Sequence, residues 1–128
     1  MSSSAPSQRQ LRVGELIRHA LADVFSRAGT GDPDLERLGI TVVEVQTSPD
    51  LRLATAYVRP FMEKDNALLL KALERNRRHI RGLITPHVKL KFMPDVRFRI
   101  DTALDYAGHI DELLNSPEVR RDTRKDDE

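Results

Sequence analysis

Val13, Leu16, Ile17, Ala20, Leu21 and Val24 recur at the three- and four-residue spacing of one buried helical face. Ser7-Gln8-Arg9-Gln10 opens that segment with a capping-box pattern, Ser at the cap and Gln three residues on. Gly29 and Gly31 end the helix, and Asp32-Pro33-Asp34 reads as loop. Ile40 to Thr47 is rich in β-branched residues and predicts a strand. Ser48-Pro49-Asp50 supplies a turn, and Leu51 to Val58 predicts the returning strand of a hairpin. Ala54 and Ala56 alternate on one face of that strand, small enough for helices to lie close.

From Asp65 the period is helical again. Leu69, Leu73, Asn76, Ile80, Leu83 and Ile84 share one stripe, with Lys71, Arg75, Arg78 and Arg81 roughly opposite. The pattern alone gives a single helix of about 20 residues, with Asn76 the one polar residue on its apolar side. Asn tolerates left-handed backbone and competes for local hydrogen bonds, so Asn76 is the place for a break, although periodicity does not display one. Thr85-Pro86 predicts the helix end. Val88, Leu90 and Phe92 then alternate with Lys89 and Lys91, and past Pro94-Asp95 the residues Val96, Phe98 and Ile100 alternate with Arg97 and Arg99. That is one strand, or two pieces joined at the Pro-Asp step. A short helix is expected over Asp105 to Leu114. Residues 1–7 read as a disordered leader, 8–115 as one domain, and the charged residues 116–128 as a disordered tail.

Charge changes the picture. The chain is formally only +1, yet Lys71 to Arg99 holds nine Lys and Arg against Glu74 and Asp95, a local net of +7. A stripe of one sign, repeated on the next strand, repels itself unless a polyanion meets it. Arginine outnumbers lysine on the helix, which suits bidentate phosphate contact. Asp32, Asp34 and Glu36 precede the hairpin, and Asp101, Asp105, Asp111, Glu112 and Glu118 follow the basic stretch. A polarised molecule is therefore expected, with its acidic residues kept off the basic face. Aromatic residues make up 5% of the chain, with no Trp, which weighs against a surface that works chiefly by stacking bases.

Chemistry of other kinds finds little support. There is no cysteine, hence no disulfide and no thiolate zinc site. His19, His79, His87 and His109 share no metal-ligand spacing, and Asp32, Asp34 and Glu36 lack the glycine of a calcium loop. No GxxxxGK[ST] or GxGxxG occurs. No apolar run approaches a membrane span, and Met1 to Pro6 has neither the basic nor the apolar region of a secretory signal. No catalytic residue, cofactor or metal is assigned. A small hydrolase would need a nucleophile or paired carboxylates near the basic stretch, where only Glu74 and Asp95 are available.

The order helix, strand, strand, helix, break, helix, strand resembles a type II KH domain: an α+β domain with a three-stranded mixed sheet and helices on one face. Gln10-Leu11-Arg12-Val13, Leu38-Gly39-Ile40-Thr41-Val42-Val43-Glu44-Val45 into Ser48-Pro49-Asp50-Leu51, and Ile80-Arg81-Gly82-Leu83-Ile84 leading to Leu90-Lys91-Phe92-Met93-Pro94-Asp95-Val96-Arg97-Phe98 sharpen the match. Together they resemble the ribosome-binding factor A family of bacterial small-subunit maturation factors, over roughly residues 8–115. KH domains clamp nucleotide backbone with a GxxG loop, which is absent here. The family replaces it with a kinked helix written Ala-x-Gly, aligned here with Asn76-Arg77-Arg78, a departure that puts the unusual conformation on Asn76.

The resemblance implies a non-catalytic assembly factor. It would bind the 30S subunit and its 16S rRNA late in maturation, near the neck and decoding region, and assist processing of the precursor's 5′ end. Importance in the cold, release by a ribosome-dependent GTPase, a cytoplasmic location and a monomeric state are implied with it. The expected RNA-binding residues are Lys71, Arg75, Arg77, Arg78, Arg81, Lys89 and Lys91. The alternative is a general KH-like regulator acting on single-stranded RNA.

Overall fold

The computed structural model describes residues 5–27 and 29–102. The helix expected over 105–114, the tail 116–128 and the first four leader residues lie outside that range. Helix α1 (Gln8–Ser26) starts as its sequence dictates: Ser7 Oγ accepts from Gln10 N at 3.1 Å, and Gln10 Oε1 accepts from Ser7 N at 2.9 Å. Gln10 Nε2 also donates to Thr47 O at 3.0 Å, tying the start of α1 to the end of the first strand.

The segment expected as loop after Gly31 instead contains a short helix, α2 (Pro33–Leu38). Asp32 caps it, accepting from Asp34 N and Leu35 N at 2.9 and 3.3 Å, and Pro33 occupies the first helical position, where its missing N–H costs nothing. Leu35 and Leu38 are buried, which supplies the reason for the extra turn and a half. Gly39, at φ 66°, reverses the chain into β1 (Thr41–Thr47), which pairs antiparallel with β2 (Leu53–Arg59). An irregularity between Val42 and Glu44 lets Val42 and Val45 both face inward.

A single turn of 3₁₀ helix (Glu63–Asp65) leads into α3 (Asn66–Arg75) and α4 (Arg77–Val88), after which β3 (Asp95–Ile100) pairs parallel with β2. The sheet order is β1-β2-β3, two antiparallel strands extended by a parallel one. This is the expected α+β architecture with a mixed three-stranded sheet, plus α2. Ala54, Ala56 and Val58 of β2 are fully buried beneath Ile17, Leu21, Leu69, Leu73, Ile80 and Ile84 of the helices. The opposite side of the sheet presents Glu44, Gln46, Tyr57, Arg97 and Arg99.

Two boundaries differ from the pattern-based reading. Helix α4 runs through Thr85-Pro86 to Val88, because Ile80, Ile84 and Val88 continue one buried stripe at i, i+4, i+8. Pro86 sits in the last turn, where the lost bond concerns a single carbonyl. The alternation at Val88, Leu90 and Phe92 is therefore not a strand: Lys89 ends the helix at φ 57°, and only Asp95–Ile100 is extended.

Candidate nucleic-acid interface at the helix break

Asn76 separates α3 from α4 at φ −104° and ψ 9°, outside both the helical and the left-handed wells. The flanking bonds survive, Asn76 N donating to Ala72 O at 3.1 Å and Ile80 N to Asn76 O at 2.9 Å, so the two helices meet at a bend without a loop. The side chain explains the conformation. Asn76 Nδ2 donates to Ala72 O and to Asp32 Oδ2, both at 2.8 Å. Arg77 and Arg78 begin α4, and neither has positive φ. The glycine of the family pattern is therefore not required at position 78.

Asp32 is the hub of this junction. One oxygen caps α2, while the other receives Asn76 and, at 2.9 Å, an Nη2 of Arg75. The hydrogen bond from Asn76, followed by that from Arg75, holds the Asp32 carboxyl down at about 2. Asp34 also approaches Arg75, at 3.4 Å, and Thr30 O lies 3.1 Å from His79 Nε2. The acidic segment is thus docked against the basic helices, which corrects the expectation that acidic residues keep to another face. Only long-range pairing carries that information, and nothing in the local pattern signals it.

The seven basic residues divide accordingly. Arg75 is engaged by two carboxylates, and Arg77 Nε lies 3.6 Å from Glu74. Arg81 turns inward, donating from Nε to Pro94 O at 2.9 Å and from Nη2 to Met93 O at 2.7 Å, with Asp95 at 3.9 Å. Among the described residues, Lys71, Arg78, Lys89 and Lys91 make no ion pair. Lys71, Arg77 and Arg78 flank the break, whereas Lys89 and Lys91 follow the far end of α4, about 18 Å away for 12 residues of helix. The structure does not gather all seven into one patch. No described group of His, Asp and Glu is arranged to hold a metal, and no described helix is long and apolar enough to cross a membrane.

A family model described as ribosome-binding factor A matches residues 9–114. Ribosome-binding factor A of Bradyrhizobium sp. strain BTAi1 is 51% identical over 127 residues, covering 99% of this chain and 92% of that protein. The Methylobacterium sp. strain 4-46 protein of the same name is 54% identical over 120 residues, covering 94% and 86%. Among solved structures, the crystal structure of ribosome-binding factor A from Thermus thermophilus superposes with TM-score 0.58 at 26% identity, covering 71% of this chain and 94% of that one. A Thermus thermophilus homology model, fitted into the cryo-EM map of a complex of that factor with the 30S subunit, gives TM-score 0.54 at 30% identity, covering 68% and 89%. The chain belongs to the ribosome-binding factor A family.

Proposed function

We propose that this protein is a non-catalytic assembly factor that binds the small ribosomal subunit and its 16S rRNA and acts late in subunit maturation. The reading is carried by the family match over residues 9–114, one of whose relatives is recorded in complex with the 30S subunit. The unpaired cations around the helix break add a physical means. Lys71 and Arg78, with Arg77 only loosely held, would grip rRNA phosphates and position the domain, and recognition would come from the shape of the folded rRNA. Arg75 and Arg81 would shape the surface without meeting phosphate. Binding energy directed at one rRNA conformation shifts the population toward it, and no chemical step is needed. Assistance with processing of the precursor's 5′ end, a cytoplasmic location, a monomeric state and release by a ribosome-dependent GTPase belong to the same reading.

Co-sedimentation with immature 30S, mature 30S, isolated large subunits and free single-stranded RNA, across a salt series, tests it. Retention on small subunits that weakens with salt is the expected result. Equal retention on free single-stranded RNA would favour a general RNA-binding regulator and overturn the assembly reading.

A further inference from the structure

The loop after α4 carries an exposed aromatic ring in a basic groove. Leu90 and Met93 pack against the core, and Arg81 grips the main-chain carbonyls of Met93 and Pro94. Between these anchors Phe92 points outward, 78% exposed, with Lys91 Nζ 5.7 Å from its ring centroid. The ring borders a groove of about 760 Å³ formed with Arg9 and Gln10 at the start of α1 and with Leu51 and Arg52 of the β1–β2 turn. Two carboxylates, Asp50 and Asp95, also line the groove. Asp50 accepts from the Ser48 hydroxyl and from Arg52 N at 2.7 and 3.1 Å, and Asp95 faces Arg81. Arg9 and Lys91 have no carboxylate partner among the described residues, and Arg52 reaches its own only at 3.9 Å.

We propose that this groove is a second RNA contact that takes one unpaired nucleobase, stacked on Phe92, with its phosphates met by Arg9, Arg52 and Lys91. This rests on the reading that the chain binds small-subunit rRNA, and it deepens that reading by adding a single-stranded element to a phosphate-gripping surface. Charge decides the occupant: an aromatic platform where three cations, Arg9, Arg52 and Lys91, outnumber the two carboxylates Asp50 and Asp95 fits a base and its backbone. The site lies at the opposite end of α4 from the helix break. Because Leu90, Met93 and Arg81 pin the loop on both sides of Phe92, little backbone ordering is lost on binding.

The test measures binding of the full chain to purified immature small subunits. Phe92→Ala and Phe92→Leu should each weaken it about tenfold, the scale of one stacked base, whereas Phe92→Tyr should bind as the parent does. All three should melt with the parent, since the side chain is exposed. A photoactivatable diazirine residue at position 92 should give adducts on 16S rRNA. Parent-like binding by Phe92→Leu, or adducts confined to a ribosomal protein, would overturn the stacking site in favour of an apolar protein contact. Parent binding with an unaffected Phe92→Ala overturns this proposal alone, while failure of the parent to bind any small subunit overturns the functional reading with it.

Discussion

Asp32 shows how one side chain can set the geometry of a surface 43 residues away. Replacing it by Asn keeps the oxygen that caps α2 but turns an amide toward Asn76 and Arg75, so donors face donors. Because the native carboxyl sits near 2, held first by Asn76 and then by Arg75, its charge favours the folded state at every pH above the ordinary carboxylate range. That contribution is lost as pH falls from about 4 through 2. Asp32→Asn is therefore expected to have a lower urea midpoint than the parent at pH 7, with the gap closing between pH 4 and 2. Glu15, also near 2 through its bond to Arg18, titrates in both proteins and cancels from the difference. A gap independent of pH would mean that the Asp32 charge does not matter. Arg81 makes the opposite point about arginine. Its guanidinium satisfies two main-chain carbonyls, so Arg81→Ala should destabilise by about 1–2 kcal/mol and loosen the loop before β3. Arg81→Lys should not restore it, since one ammonium cannot reproduce the fork. Urea unfolding and amide exchange at Met93 and Asp95 check both.

At the scale of elements, α1 lies close on β1 because Gly14 has no side chain: a Cβ there would stand 2.5 Å from Val45 O. Gly14→Ala must push helix and strand apart, with an expected loss of about 1–3 kcal/mol in urea unfolding. Arg78→Gly is a different case. The residue is ordinary helix, so restoring the family's glycine should cost about 1 kcal/mol and leave the bend in place. A more sharply bent helix pair in the NMR structure of that variant would contradict this. Elements stabilised by neighbours in sequence are legible from the chain, namely α1 from its stripe and capping box, and the hairpin from its β-branched run and turn. Helix α2 escapes the pattern because six residues are too few for periodicity, although Asp32-Pro33 is a cap followed by a first-turn proline. The end of α4 is ambiguous in sequence because Val88, Leu90 and Phe92 fit a two-residue period as well as Val88 fits the four-residue series with Ile80 and Ile84. Only burial of Val88 decides between them. Of the candidate interface, the basic composition is legible. The division of its arginines into engaged and free is not, because Asp32, Asp34 and the carbonyls of Met93 and Pro94 reach them only in the folded chain.

The whole molecule resolves the contrast between a total charge of +1 and a local +7. Acidic residues from α2 and its cap are folded onto the basic helices, which relieves repulsion at Arg75 and leaves Lys71, Arg77 and Arg78 as the cations most available around the break. Counting basic residues in sequence therefore overstates the number left without an internal partner. Each Lys or Arg that meets a phosphate steepens the dependence of log K on log salt by about 0.9 on a duplex and about 0.7 on single strands. The triple variant Lys71→Ala, Arg77→Ala, Arg78→Ala should thus flatten that slope for 30S binding by roughly 2–3. The double variant Arg75→Ala, Arg81→Ala should lower stability yet leave the slope near that of the parent. Titrating both variants against 30S between low and moderate salt, each at a temperature where it remains folded, separates phosphate contact from scaffold. If the double variant flattens the slope as much as the triple, Arg75 and Arg81 leave their internal partners to bind rRNA.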